Sequence, residues 1–494
     1  MGIRAGALGA VVIATLACAD GAAAAGSCEA LSALVLPHTT FTSVTTVEAG
    51  AFKPPTLPAF CRVEATLRPS SDSDIKVEVW LPASGWNGKF QAVGNGGWAG
   101  SLEPGAMGEA LRRGYATAST DTGHQGTGGS FALGHPEKLI DYAYRGQHEM
   151  NLVARALIAA YYGEGPKFSY FNGCSGGGRQ ALKAAQRFPA DYDGIVAGAP
   201  GGDWTGRAAS SMRVAQAMHK NPASYIPPAK YQAIHRAVLD RCDALDGIKD
   251  GVLNDPRACT FDPGVVACTG SDESACLTAP QVEAARQVYA SPINPSTTRR
   301  ITGLMPGSEL GWATWGSPQT PVNGLDHYKY VVYKDPQWDY LTFNFDRDIV
   351  LAEQGDNGLI NATDPNLKPF FGRGGKLIQY HGWSDPQISP EASTQYYDNV
   401  VKAAGTASTA NSYRLFMAPG MGHCRGGNAP NTFDMLAALE QWVEKGQAPE
   451  QIEASLSLNG KVIRTRPLCA YPQQASYKGT GSTDEAANFV CKAP

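Results

Sequence analysis

Lys167-Phe-Ser-Tyr-Phe171 is a short apolar run with strand character, and Gly178 to Phe188 after it has helical spacing. Between them lies Gly173-Cys-Ser-Gly-Gly177, a G-x-S-x-G pattern. A serine in that position sits on a sharp strand-to-helix turn. Only glycines let the neighbouring backbone approach so closely, and the turn lifts the hydroxyl clear of the sheet. The next amide, that of Gly176, would point at a substrate oxygen at the helix N-terminus. The plain alternative is a glycine-rich turn before a helix. The strand and helix on either side favour a nucleophile at Ser175.

Outward from this turn, strands and helices alternate. Val77-Glu-Val-Trp-Leu81, Lys89-Phe-Gln-Ala-Val93 and Asp193-Gly-Ile-Val-Ala197 read as strands, and Gln147 to Tyr162 reads as a helix. From about Gly202 to Asp346 the pattern changes to helical stretches (Pro228 to Leu239, Ala279 to Tyr289) among Cys-, Asp-, Gly- and Trp-rich loops. The alternation then resumes with strands at Lys376–Tyr380 and Tyr413–Met417 and a helix at Phe433–Lys445, stopped by Gly446. The expected fold is therefore α/β: a mostly parallel sheet with flanking helices, split by a large insertion. The expected units are 26–202 with 347–494 as the core and 203–346 as an inserted lid. A chain of 494 residues is too long for one ordinary core, which agrees with that division.

The serine needs a base, and the base needs an orienting acid. In α/β-hydrolases the chain order is serine, acid, histidine. Asp385, in His381-Gly-Trp-Ser-Asp385, follows one of the last two predicted strands, and His423, in Pro419-Gly-Met-Gly-His423, follows the other. Both fall at strand C-terminal ends, where such sheets place their sites. His381 is the main rival base, but it precedes Asp385. His124 is a weaker rival. Cys174 adjoins Ser175 and Cys424 adjoins His423. A bond between them would tie the nucleophile turn to the histidine loop; the alternative is two unrelated buried thiols. Closing a loop of that length contributes at most about 5 kcal/mol in the chain-entropy model.

The formal net charge is −4, without a basic stripe, which argues against nucleic-acid binding. Arg4, the apolar run Ala5 to Ala17 and the small residues Gly21 to Ala25 read as an export signal, residues 1–25. Lipidation at Cys18 is a minor rival. No stretch is long and apolar enough to span a bilayer. Removing Cys18 from the 11 cysteines leaves ten: Cys28, Cys61, Cys174, Cys242, Cys259, Cys268, Cys276, Cys424, Cys469 and Cys491. An even number in an exported chain suggests five disulfides, and no CxxC pair points to zinc. The compartment expected is periplasmic or extracellular.

The pairs Cys174-Ser175 and His423-Cys424, with Asp385 between them, resemble the signature of the tannase and feruloyl esterase family. The resemblance extends through Tyr192 to Pro200, Cys242-Asp-Ala-Leu-Asp-Gly247 and Arg464 to Cys469. It implies an α/β-hydrolase core with an inserted lid and the bridges 174–424, 28–61, 242–259, 268–276 and 469–491. It implies a structural calcium ion in the lid, held by Asp243, Asp246 and Asp250 with the carbonyls of Ile248 and Val252, an oxygen set suited to a hard cation. The Asp/Gly spacing there is not that of an EF-hand and by itself fits a turn equally well. The resemblance also places the second oxyanion donor at the amide of Gly97, in the glycine-rich loop 94–100, with Gly96 as the alternative. It places Trp204, Trp312, His381 and Ile388 around the substrate.

The implied activity is hydrolysis of small aromatic esters through an acyl-enzyme, with hydroxycinnamoyl (feruloyl-type) esters first, including those on plant polysaccharide. Galloyl esters come second and mono(2-hydroxyethyl) terephthalate third. A lid arginine for the free carboxylate of the last has no obvious counterpart between Gly303 and Asp346, where Lys329 and Lys334 are the basic side chains besides histidine. Lid aromatics Trp312, Trp315, Tyr328, Tyr330, Tyr333, Trp338 and Tyr340 suit a flat acyl group, or else form the lid's own core. Peptidase chemistry, or a binding protein on an inactive hydrolase scaffold, are the competing classes.

Overall fold

Strand β6 (Phe168–Cys174) delivers the serine turn, and the strands around it decide what else reaches that edge of the sheet. The computed structural model describes residues 26–52, 56–271, 273–317 and 322–494. The expected export segment, with Cys18, lies outside the described residues. β1 (Thr39–Val47), β2 (Phe60–Leu67) and β3 (Ile75–Pro82) form an antiparallel meander. β4 (Lys89–Val93), β5 (Ala116–Thr120), β6, β7 (Gly194–Gly198), β8 (Lys376–Gly382) and β9 (Tyr413–Ala418) are mutually parallel. The nine strands lie in the order β1-β2-β3-β5-β4-β6-β7-β8-β9, with β5 antiparallel to β3.

Apolar residues alternate across the parallel strands because both faces are covered. On one face Phe171, Ile195, Ala197 and Leu377 pack against helices Gly146–Tyr162, Gly176–Arg187 and Glu391–Ala404. On the other, Tyr170, Val196, Ile378 and Phe416 meet helices Pro104–Arg112 and Met435–Lys445. This is the α/β-hydrolase architecture expected from the sequence. The helix after Ser175 starts at Gly176, earlier than its apolar spacing indicates, because Ser175 itself is its N-cap residue.

Seven strands escape the sequence reading. β5, Ala-Thr-Ala-Ser-Thr, is buried at every position between β3 and β4. Its side chains are small and its alternation of Ala with Thr and Ser is weak, so burial between two strands is what marks it. β1 and β2 add a polar-faced edge. Beyond residue 446, β10 (Gln451–Leu458) and β11 (Lys461–Cys469) form a hairpin, and β12 (Gln474–Tyr477) pairs with β13 (Phe489–Lys492).

The insertion leaves the sheet after β7 and returns at β8. Its inner cluster joins Ala208, Met212, Ile301, Tyr328, Trp338 and Phe343 to Ile349 and Ala352. The last two belong to helix Phe345–Gly355, so the lid runs past the expected boundary at Asp346. The apolar face of that helix has its partners in the lid and none in the sheet clusters. Tyr328, Trp338 and Tyr333 stack on one another at 5.3 and 5.1 Å, so these lid aromatics make the lid's own core. The five disulfides are 28–61, 174–424, 242–259, 268–276 and 469–491, as the family resemblance implies.

Candidate active site

Ser175 has φ 62° and ψ −118°, a strained conformation for a residue with a side chain. The surrounding backbone holds it there. Its amide donates to Gly198 O at 2.9 Å, and its carbonyl accepts from Gly201 N at 3.1 Å and Arg179 N at 3.0 Å. The glycines beside it are needed for close approach. A Cβ on Gly176 would lie 2.8 Å from Gly97 N and 3.1 Å from Asn95 O. That same contact places the Gly97 amide against Gly176, so both expected oxyanion donors belong to one backbone contact. Gly97 has φ 53°, and its carbonyl accepts from Tyr142 Oη at 2.6 Å, which anchors the peptide that follows.

The loops after β8 and β9 are stitched together. Trp383 N donates to Ala418 O at 2.9 Å and Ser384 N to Met421 O at 3.0 Å. A Cβ on Gly382 would lie 2.3 Å from Met421 O, so no larger residue fits at that crossing. Asp385 is fully buried. Its Oδ1 accepts from Gln387 N at 2.7 Å and Ile388 N at 3.0 Å; its Oδ2 accepts from His423 Nδ1 at 2.7 Å and His381 Nε2 at 3.0 Å. Burial opposes ionisation of this carboxyl. The charge of His423 and the hydrogen bonds from His381 and His423 outweigh it and hold the carboxyl well below the usual carboxylate range. An ionised carboxylate only accepts, so His423 carries its proton on Nδ1 and leaves Nε2 as the free base. The Cys174–Cys424 bridge, with Cα atoms 6.0 Å apart, brings the loop bearing His423 to the turn bearing Ser175. Cys424 has a positive φ of 63°, as does Ser175, the residue after Cys174.

The structure separates the other candidate residues. His381 is fully buried and does not line a pocket: Nε2 faces Asp385, and Nδ1 is 2.7 Å from Ser393 Oγ. It buttresses the acid. His124 is also buried, with Nε2 2.6 Å from Trp98 O and its ring stacked on Phe131 at 3.7 Å. Burial pushes its ring down to about 4, and it is not placed as a base for Ser175. Trp312 packs in the lid core against Tyr289 at 5.0 Å, with Nε1 donating to Ser308 Oγ. Trp204 and Ile388 lie beside the backbone of the Ser175 turn. A Cβ on Gly201 would lie 3.6 Å from Ile388 Cδ1, 3.9 Å from Ser175 O and 3.9 Å from Trp204 Cε3. Trp204 stands edge-on to Trp98 at 4.8 Å, beside the loop that carries Gly97. Sequence reasoning missed Tyr142, Ser393 and Gly382, because their partners lie far away in the chain.

In the lid, Asp243 Oδ1 accepts the amides of Asp250, Gly251 and Val252 at 3.3, 3.1 and 3.2 Å. Asp250 Oδ2 pairs with Arg466, while Asp250 Oδ1 is buried without a partner. Burial, with Asp250 and Asp243 adding to it against the Ile248 amide and Arg466, pushes Asp246 up to about 6. Among the described residues no three His, Cys, Asp or Glu side chains form a closed metal-ligand set. A hard cation would therefore depend on the Ile248 and Val252 carbonyls as well. The acceptor-only oxygens and the orphaned Asp250 Oδ1 fit such an ion in chemistry.

The comparisons with known proteins decide the family. Residues 61–492 match the family model described as tannase and feruloyl esterase. The chain belongs to the tannase and feruloyl esterase family. It is accordingly a carboxylic ester hydrolase. An uncharacterised esterase of Xanthomonas campestris pv. campestris is 42% identical, over 95% of this chain and 92% of that protein. A probable feruloyl esterase B-1 of Aspergillus fumigatus is 36% identical, over 87% of this chain and 85% of that protein. The crystal structure of feruloyl esterase B from Aspergillus oryzae superposes with a TM-score of 0.90 at 31% identity, covering 94% of this chain and 99% of the other. Tannin acyl hydrolase from Aspergillus niger, at 24% identity and TM-score 0.78, speaks to the shared fold alone. No helix among the described residues is long and apolar enough to cross a membrane.

Proposed function

We propose that this family member cleaves feruloyl-type aromatic esters by a serine mechanism through Ser175, His423 and Asp385. The observation that carries the reading is the Asp385–His423 hydrogen bond at 2.7 Å on a loop bridged to the Ser175 turn. The similarity to feruloyl esterase B along nearly the whole chain supports the substrate class.

In this mechanism His423 Nε2 takes the proton of Ser175 Oγ as the oxygen attacks the ester carbonyl. Asp385 holds the ring tautomer and stabilises the imidazolium that forms. The amides of Gly176 and Gly97 receive the oxyanion; removing one such donor from a site of this kind costs about 10²–10³ in rate. His423 then protonates the departing alcohol, leaving an acyl-Ser175 ester. In the second half His423 deprotonates water, which attacks the acyl carbonyl and releases the acid, and Ser175 recovers its proton. Asp243, Asp246 and Asp250 with the carbonyls of Ile248 and Val252 would hold a calcium ion that cross-links the lid loop and takes no part in the chemistry. The five disulfides and the apolar N-terminal run support export, either to the periplasm or beyond the cell, where esters of plant polysaccharide would be met.

The test is a panel of methyl ferulate, methyl gallate and a peptide anilide, with Ser175→Ala as control. Methyl ferulate should be the fastest, and Ser175→Ala should lose activity by roughly 10⁵-fold or more with its melting temperature retained. Faster cleavage of gallate would move the protein to the tannase side of the family. Retained turnover in Ser175→Ala would overturn the mechanism.

A further inference from the structure

The loop that carries the Gly97 amide leaves β4 at Val93 and reaches its next helix at Pro104. It begins Gly94-Asn-Gly-Gly-Trp-Ala-Gly100, a run that does not hold its own shape. Tertiary contacts must therefore set where the amide points. Some of them tie the loop to its neighbours on the far side from the nucleophile helix. Tyr142 Oη donates to Gly97 O, His124 Nε2 stands 2.6 Å from Trp98 O, and Gly100 and Gly126 exchange backbone hydrogen bonds at 2.7 and 3.3 Å.

Asn95 makes the link to the nucleophile helix itself. It is buried, and so is Gln180, little more than one turn into the helix Gly176–Arg187. The two residues bond reciprocally. Asn95 N donates to Gln180 Oε1 at 3.2 Å, and Gln180 Nε2 donates to Asn95 Oδ1 at 2.5 Å. Asn95 Nδ2 gives its two hydrogens to Thr120 O at the end of β5, at 2.9 Å, and to Ser101 O across its own loop, at 3.1 Å. Among the buried Asn and Gln side chains described in the sheet domain, these two have every polar atom bonded. Gln91, Gln147, Asn151 and Gln379 each leave at least one atom without a partner. The backbone follows the side chains. A Cβ on Gly176 would meet Asn95 O at 3.1 Å as well as Gly97 N at 2.8 Å, so the loop rests on Gly176 on both sides of Gly96.

We propose that Asn95 and Gln180 are positioning residues for the oxyanion site, their paired amides holding the Gly97 N–H against the Gly176 N–H. The inference rests on the esterase reading above, with those two amides as the oxyanion donors. Gln180 lies four residues beyond one donor and Asn95 two residues before the other, so their contact sets the spacing of the two. An oxyanion donor acts by being in place before charge develops; one that must be reordered during the reaction loses that advantage. A neutral amide pair brings no competing charge to the site, and its burial keeps water from replacing either bond.

The test compares methyl ferulate with its thiono analogue, in which C=S replaces C=O. Sulfur is a weak hydrogen-bond acceptor, so a well-placed pair of amides favours the oxygen ester. In Gln180→Met, kcat on methyl ferulate should fall by about 10- to 100-fold, short of the cost of deleting a donor outright. KM should change by less than about 3-fold, and the oxo-to-thiono ratio should shrink along with kcat. Asn95→Ala should do the same, and the double variant should fall no further than the worse single one, because both act through one contact. Gln180→Glu, which keeps the acceptor for Asn95 N, should retain part of the activity. A loss that is equal on both esters would assign the pair a merely structural role and overturn the proposal. So would a kcat within about 3-fold of wild type in Gln180→Met, multiplying losses in the double variant, or failure of both Gln180 variants to fold. A wild-type ratio near one would instead overturn the two-amide oxyanion site, and failure of the wild-type protein to cleave methyl ferulate or methyl gallate would overturn the esterase reading.

Discussion

The polar groups at the sheet edge and those on the inner wall of the lid are treated in opposite ways. At the edge, both oxygens of Asp385 are bonded, the histidine tautomer is set, and a disulfide holds the two loops together. In the lid, Arg207, Trp204 and His327 are buried with donors left over. The first arrangement does not wait for substrate. Its strain and desolvation are sustained by the surrounding backbone, which suits a reaction common to many esters. The second is not completed by other groups of the protein.

The contrast can be broken most strongly at the acid. Asp385→Asn should lower kcat by about 10⁴-fold with little change in KM, because the amide stabilises the wrong tautomer of His423. Steady-state kinetics on methyl ferulate checks this; a drop confined to KM would place Asp385 among the binding residues. Next is the bridge. Replacing Cys174 and Cys424 together by serine should lower unfolding stability by up to about 5 kcal/mol, read by denaturant melts. The loss of activity should be larger than the loss of folded protein, since the His423 loop would no longer be tethered to Ser175.

Smaller effects sharpen the lid side. If calcium holds the Asp243–Val252 loop, chelation should lower the stability of the lid by about 3 kcal/mol for an ion present at 100 times its Kd. Calorimetry with and without added calcium reads it, and methyl ferulate turnover at a temperature where the lid stays folded should change far less. The smallest effect is at His381. His381→Gln should lower kcat by about 10-fold, the scale of one hydrogen bond to a charge. It should also raise the pH of acid unfolding. A carboxyl depressed in the folded state stabilises the protein above its unfolded value near 3.9, and that stability is lost as pH falls towards the depressed one. Removing His381 brings the two values closer, so the loss is complete at a higher pH. An unchanged acid melt would show that His381 does not tune Asp385.

Wherever the chemistry depends on short spacing, it was legible in the sequence. Ser175, the glycines around it, and the two strand-end loops with Asp385 and His423 are all local patterns, and they reappear at one sheet edge. A position in the chain says which loop a side chain is on, not which way it faces: Trp312 packs against Tyr289, and His381 meets Asp385. β5 was missed because its run of small residues is short and only burial between β3 and β4 selects it.

By itself, the sequence determined the reaction class and the family, since these rest on residue identity and order along the chain. Tertiary structure alone decided which glycine amide meets Gly176 and which histidine supports the acid. Those are properties of distance and burial between segments far apart in the chain, and side-chain spacing carries no record of them.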